Sequence, residues 1–338
     1  MATRMDRHRQ DEEKKSVMKR ERNYDAKNNG NNIEEPKKKK KKIWYILAII
    51  LIIILLFLGK VFLDAKQTVN NMQEPVENSE VSLKEANKQV KQGKPISILL
   101  LGTDDGALDR AKSGGLTDSM MVMTLNPEKK SGVMMSIERD TYVTIANQGV
   151  KAKLNSAYSY GVGTSIQTVE QLLDIPIDYY ATINMQGLQD LVDAVGGVTV
   201  ESNMAFTYEG YSFVKGENKL ETGKEALAFS RMRKQDPEGD YGRQRRQREI
   251  VNAIMKKMAS VSSLAHYRKI LNTVQENMKT DMNWTTMMRL ATKYNSCFDN
   301  IKSDYLKGEG FMQDGISYQD VSGDLPRVQE ELKESLAE

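Results

Sequence analysis

The apolar positions of this chain fall into two regimes. Up to residue 36 they are few and scattered among Lys, Arg, Asn and Glu. Such a segment cannot bury enough area to offset the entropy of ordering, so residues 1–42 read as a disordered basic tail. From Ile43 to Gly59 come 17 uninterrupted apolar or small residues, about 25 Å of helix at roughly 1.5 Å per residue. With Val61 to Leu63 the stretch matches the hydrocarbon core of a bilayer, and Lys60 is long enough to snorkel. Residues 43–63 therefore predict a transmembrane helix, not a buried soluble one. Residues 64–94 are polar again, contain Pro75 and Gly93, and show weak helical periodicity. They predict a stalk.

From Ile96 the pattern is that of a globular domain. Ile96 to Leu101 is a short apolar run ended by Gly102, the mark of a buried strand. Residues 119–125 and 132–137 flank Asn126-Pro127 and predict a hairpin. Residues 179–183 and 198–200 read as strands, and 166–173 and 186–195 as helices. In the second helix Leu188, Leu191, Val192 and Val195 share one face, and Gly196-Gly197 stops it. A long helix is predicted over 243–260. Strands alternating with helices give an α/β class, a mixed central sheet flanked by helices, over residues 95–262. Residues 263–338 carry further helical stretches and a polar, acidic end, either a C-terminal extension or the completion of the same fold.

Charge adds direction. The chain is +3 overall, but residues 1–42 carry 15 Lys/Arg against 8 Asp/Glu, a net +7, which leaves the remainder at about −4. A basic head on a mildly acidic body argues against a uniformly cationic nucleic-acid binder, and no nucleic-acid partner is expected. Six lysines, Lys37 to Lys42, adjoin the apolar run, so its basic side belongs in the cytoplasm, with Trp44 and Tyr45 at the interface. The basic region is too long for a cleaved signal peptide, and no small-x-small site follows. The expectation is a single signal-anchor span with everything after residue 63 outside the cell. A lone Cys297 excludes an intrachain disulfide or a multi-Cys zinc site, and two histidines, His8 and His266, disfavour a His-centred triad.

Candidate chemistry thus falls to carboxylates, Arg, Lys, Tyr and backbone. Asp104 lies just past the first strand, Asp118 precedes one hairpin strand, and Arg139-Asp140 follow its partner. Counted from the turn, Asp118 and Arg139 reach one sheet edge, and Asp104 joins them if the first and third strands are parallel. Two carboxylates and an arginine there suit a hard divalent cation holding a phosphate, or are ordinary polar loop residues. Further on, 18 residues from Arg231 to Arg248 hold seven basic and three acidic side chains. With Ile250, Ile254 and Met258 defining an apolar helix face, Arg243, Arg246 and Gln247 fall on or beside it, while Arg245, Arg248 and Lys256 face water. Arginines aimed along a buried face call for an anion, although a solvated basic face is the alternative. Lys153 and Asn155 are additional donors.

These segments together resemble the LytR-CpsA-Psr family. The resemblance runs, in order, through Leu100-Leu101-Gly102-Thr103-Asp104, Thr117-Asp118-Ser119, Ser136-Ile137-Glu138-Arg139-Asp140-Thr141 and Lys153-Leu154-Asn155-Ser156-Ala157-Tyr158. It continues through Val195-Gly196-Gly197-Val198, Ala226 to Arg233 and Asp240 to Gln247, covering roughly 95–260. It implies an α-β-α sandwich and a membrane-anchored transferase of Gram-positive bacteria, a phosphotransferase that moves a teichoic-acid-like anionic glycopolymer from a polyprenyl diphosphate carrier onto a peptidoglycan hydroxyl. By position it implies metal-associated carboxylates at Asp104 and Asp118, holding Mg²⁺ or Mn²⁺. It implies diphosphate-binding or catalytic side chains at Arg139, Arg231, Arg233, Arg243 and Gln247, with Asp240 opening the last arginine-rich motif. Two departures stand out: Leu116 occupies a position where many members carry Arg, with Arg110 nearby in the same loop, and the Gly-Gly after the Tyr-rich motif is loosened to Gly161-Val162-Gly163. A lipid carrier would need an apolar slot, walled by helices such as 186–195 and 246–258 and opening at Arg231, Arg233 and Arg243. The rival readings are hydrolysis of the same carrier by a pyrophosphatase, and a non-catalytic regulator that binds wall polymer.

Overall fold

The computed structural model describes residues 12–20, 22, 37–76, 80–103, 115–258 and 266–338, leaving aside the side chains of 37–43 and 80–82. Asp104 and Arg110 lie outside the described residues. The chain divides into two units, 1–59 and 60–338. In the first, helix α1 covers residues 12–20, and the six lysines open helix α2 (Lys37–Met72), which carries the apolar run. The side chains from Trp44 to Leu58 are exposed along this run. Among the described residues α2 is the one helix long and apolar enough to cross a membrane.

The second unit follows in order: α3 (Glu80–Gln92), β1 (Ile96–Thr103), β2 (Thr117–Asn126), β3 (Ser131–Ile137), β4 (Tyr142–Thr144), β5 (Lys151–Lys153), α4 (Val162–Leu173), β6 (Tyr179–Asn184) and α5 (Met185–Ala194). Then come β7 (Val198–Ser202), β8 (Phe206–Tyr208), β9 (Tyr211–Phe213), β10 (Gly216–Leu220), α6 (Gly223–Arg231) and α7 (Asp240–Met258). The remainder is α8 (Tyr267–Asn277), β11 (Met278–Thr280), α9 (Trp284–Lys293), α10 (Asn295–Phe298), β12 (Ile301–Tyr305), β13 (Glu309–Gln313), β14 (Ile316–Asp320) and α11 (Leu325–Leu336).

Six strands form the central sheet in the order β11-β6-β1-β2-β3-β12. β1 and β3 each run antiparallel to β2, whereas β6 and β12 lie parallel to β1 and β3. The run Ile96 to Leu101 is continuously apolar because both of its faces are covered. Leu99 and Leu101 join Val122, Met135 and the α4 and α11 residues Val169, Leu173, Val328 and Leu332 on one side. Ile96 and Ile98 join Met121, Met134, Tyr179 and the α3 residues Ala86 and Val90 on the other. A third core lies among α5, α6, α7 and the small strands, around Phe206, Phe213, Phe229 and Ile250.

Two expectations change. The tail read as disordered is helical over residues 12–20 and again from Lys37, where α2 begins. Residues 64–94 do not form a stalk. Thr68, Val69 and Met72 are buried, Gln73 bridges to Thr280, and α3 buries Ala86 and Val90 against the sheet. Each stretch hides only a few residues on one narrow helical face, so its composition stays polar while its position is fixed. Of the two readings of residues 263–338, completion of the same fold is the one found, since they supply both edge strands, β11 and β12, and the covering helix α11.

Candidate active site

The hairpin register builds the first half of the site. Met120 pairs with Ile137, which carries Asp118 and Arg139 to the same edge, where Arg139 Nη1 donates to Asp118 Oδ1. The loop after β3 is pinned by backbone bonds: Thr141 N and Oγ1 donate to the Glu138 carbonyl at 3.1 and 2.7 Å, and Asn155 N donates to the Arg139 carbonyl at 3.1 Å. These bonds draw the segment after β5 against the strand end, and Lys153 Nζ meets Asp140 Oδ1 at 2.9 Å. Asn155 is buried beneath them.

The second half comes from α6 and α7. Thr222 caps α6 by accepting from Glu225 N at 3.2 Å, and that helix ends at Arg231, which makes no ion pair with another described residue. Asp240 opens α7, where an acidic side chain suits the helix N-terminus. It accepts from Arg243 Nη2 at 2.8 Å and lies 3.3 Å from Arg233 Nε. The Nε of Arg243 is buried with no partner among the described residues.

Glu138 ties the two halves together. By strand alternation it shares the α7 side of β3 with Ser136, whose hydroxyl accepts from Arg248. It is 4% exposed. Burial first, then the charges of Asp240 and Asp140, push its carboxyl up to about 7 against the pull of Arg233 and Arg243. The edge thus gathers Arg139, Lys153, Arg233 and Arg243 around Asp118, Asp140 and Asp240, with Glu138 only partly charged near neutrality. This excess of cations calls for an anion. Sequence reasoning missed Glu138, although a carboxylate continuing an apolar strand toward a helix was the available sign.

Among the other arginines of the run, Arg248 alone departs from its helical-wheel position. Arg246 is 1% exposed and pairs through Nη1 with the fully buried Asp236 at 2.6 Å, while its Nη2 donates to the Met232 carbonyl. A Cβ on Gly242 would sit 1.8 Å from the Asp236 carboxylate, so only glycine lets that carboxylate dock on the helix. This pair clamps the loop that delivers Arg233 to Asp240. Arg248 was expected in water and is instead 2% exposed, donating to Ser136 Oγ at 2.7 Å and held near 10 mainly by burial. The reason is that α7 packs on β3 and β12 as well as on α6 and β7, so it has no single buried face. Arg245 pairs with Glu238 at the surface, and Lys256 is exposed, both as expected. Leu116, where the arginine of many relatives would stand, is 48% exposed.

Beside the charged edge lies an apolar cavity of about 390 Å³. Leu188 and Leu191 of α5 and Val251, Ile254 and Met255 of α7 wall it, as the sequence suggested. Ala65, Val69 and Met72 of α2 add a wall that the sequence did not suggest. Ser119, Ser230 and Gln247 form its polar end. The first two adjoin Asp118 and Arg231 in the chain, whereas Arg231, Arg233 and Arg243, where the sequence suggested an opening, do not themselves line the cavity.

Comparison with known proteins agrees with this geometry. The LytR_cpsA_psr family model matches residues 60–334. The chain is 44% identical over 279 residues, 82% of its length and 90% of the relative, to the polyisoprenyl-teichoic acid–peptidoglycan teichoic acid transferase TagU of Enterococcus faecalis. The crystal structure of Bacillus subtilis TagU, 41% identical, superposes with a TM-score of 0.58 over 72% of this chain and 98% of that one. A structure of TagT bound to LIIa-WTA, 30% identical, superposes with a TM-score of 0.60 over 72% and 91%. With its sheet, its ordered motifs and these relatives in agreement, the chain belongs to the LytR-CpsA-Psr family.

Proposed function

We propose that this protein transfers a teichoic-acid-like glycopolymer from a polyisoprenyl diphosphate carrier to a hydroxyl of peptidoglycan. The observation that carries the reading is that the apolar cavity is lined by Ser119 and Ser230, the chain neighbours of Asp118 and Arg231. The cavity is apolar and suits an isoprenoid chain, worth about 0.8 kcal/mol per buried CH₂, and the arginine edge suits a diphosphate. The relatives bear transferase names that couple a polyisoprenyl-linked teichoic acid to peptidoglycan.

In this reading the acceptor oxygen forms a bond to the phosphorus that bears the polymer, and the bridging P–O bond of the diphosphate breaks. The products are a phosphodiester on peptidoglycan and polyisoprenyl monophosphate, and the hydroxyl proton leaves for solvent or a carboxylate. Arg139, Arg231, Arg233 and Arg243 hold the diphosphate oxygens and stabilise the charge gathering on the leaving phosphate. Asp240 orients Arg233 and Arg243, Asp118 orients Arg139, and Lys153, Asn155 and Gln247 complete the lining.

Magnesium or manganese belongs to the proposal as well. The donor chemistry fits, because such an ion is held by one or two carboxylates plus substrate phosphates and needs no all-protein cage. Asp118 and, by its position in the sequence, Asp104 would be those carboxylates, and no group of three acidic, His or Cys side chains converges among the described residues. When bound, the ion would neutralise diphosphate charge. The test is product analysis with lipid-diphosphate donor and peptidoglycan oligomer, with and without Mg²⁺. The expected product is a phosphodiester-linked conjugate that needs the ion and is lost in Asp118→Ala. Free polymer phosphate with water as sole acceptor would replace transfer by hydrolysis.

The orientation is a further part of the proposal: basic tail in the cytoplasm, body outside, one span between them. Protease added to intact protoplasts should degrade residues 64–338 and spare the tail. A protected body would end the extracellular reading.

A further inference from the structure

Aromatic side chains cluster beside the anion site on the C-terminal hairpin. Phe311 and Tyr318 stand directly opposite each other across β13 and β14, with ring centres 5.6 Å apart and planes tilted by 26°. Tyr142 of β4 turns its edge toward both, 5.4 Å from Phe311 and 4.8 Å from Tyr318. None of the three rings belongs to a core cluster, all are half-buried, and Ile316 on the same hairpin face is 46% exposed. The ammonium groups of Lys151 and Lys153 lie 5.6 Å over Tyr142 and 5.7 Å over Tyr318.

This platform is attached to the site. Gln319 N donates to the Asp140 carbonyl at 2.9 Å, and Thr141 and Gln319 form an isolated bridge. Lys153, which lies over Tyr318, also pairs with Asp140. The platform therefore starts one residue from Arg139. Its side of the site matters too. The cavity reaches the edge at Asn184, Gly102 and Ser119, the ends of β6, β1 and β2, while the platform lies past β3, on the other side of Arg139 in strand order. Attacking and leaving oxygens at a transferring phosphorus are roughly in line. If polyisoprenyl phosphate departs toward the cavity, the acceptor hydroxyl enters from the β3 side.

We propose that Tyr142, Phe311 and Tyr318 form the acceptor subsite, a stacking platform for sugar rings of the peptidoglycan glycan strand. The proposal rests on the transfer reading above for its direction. An aromatic face carries partial negative charge, which suits the C–H face of a pyranose, and the rings offer it at little entropic cost. Lys151 and Lys153 suit the carboxylates of the attached peptides.

The experiment uses the full chain in detergent and, as probe, a soluble lipid-free oligomer of alternating N-acetylglucosamine and peptide-bearing N-acetylmuramic acid. Calorimetry measures its binding, and the transfer assay separates acceptor KM from donor KM. Phe311→Ala and Tyr318→Ala should each weaken oligomer binding by up to about tenfold, raise acceptor KM alike and leave donor KM unchanged. Tyr318→Phe should bind as wild type. Phe311→Leu, which keeps apolar volume but loses the flat face, should behave as Phe311→Ala with an unchanged unfolding midpoint. The proposal is overturned if wild type does not bind the oligomer, if the alanine variants bind it as wild type does, or if donor KM rises in place of acceptor KM. Oligomer binding that the alanine variants lose, in a protein that transfers nothing, would keep the platform and discard the transfer reading.

Discussion

Replacing Arg243 by alanine should lower transfer by about 10²–10³-fold, the loss typical of removing one preorganised donor from a developing anion, while the protein stays folded. Arg243 is held by Asp240 at 2.8 Å, its side chain is 14% exposed, and its Nε is buried without a partner among the described residues. Arg245, two residues on, pairs with Glu238 at the surface. Such exposed pairs contribute at most about 1 kcal/mol, so Arg245→Ala should stay within a few-fold of wild type. Comparable damage from both would show that position on α7 does not separate anion binding from surface charge. A second readout is electrostatic. Arg243 pulls the Glu138 carboxyl down, so its removal should drive that group above its value of about 7. Carbon NMR of the Glu138 carboxyl would register the change, and an unmoved titration would place Arg243 outside its field.

Arg246→Ala should destabilise the body by about 3–5 kcal/mol, the cost of leaving one member of a buried ion pair uncompensated. Asp236 is fully buried, and Arg246 also donates to the Met232 carbonyl and lies 5.2 Å over the Phe206 ring. At roughly 2–4 °C per kcal/mol for a domain of this size, the melting midpoint should fall by about 10 °C. The informative partner is Arg246→Met with Asp236→Leu. Replacing both charges by apolar groups removes the desolvation cost along with the attraction, so the double variant should recover most of the loss. If Arg246→Ala alone unfolds at the wild-type temperature, the clamp on the loop carrying Arg233 is not structural.

The parts of this fold that sequence disclosed are those where local pattern and tertiary role coincide. Ile96 to Leu101 is apolar on both faces because both faces are covered, and a tight turn at Asn126-Pro127 fixes the register that joins Asp118 to Arg139. What stayed hidden has a different physical cause. β12 (Ile301–Tyr305) has no buried position, so neither alternation nor an apolar run marks it, yet it closes one sheet edge. Helix α3 buries few side chains, and its polar remainder resembles a tether. Helix-wheel reasoning misplaced Arg248 because it assumes one dry face, whereas α7 is enclosed by two layers. Glu138 escaped notice because its significance lies in partners more than 90 residues away, at Arg233, Asp240 and Arg243.

The strand order also governs when the body can become whole. β3 waits for β12, with Gly132 paired to Ile301, and β6 waits for β11. Both partners lie beyond residue 277, so the earlier strands keep open edges until residues 278–305 have been synthesised. Pairings this distant in sequence are slow to form, and an uncovered edge is an invitation to associate with other chains. Folding of this body is therefore governed by residues 278–305, and a chain cut short before β12 would leave β3 as an exposed template for aggregation.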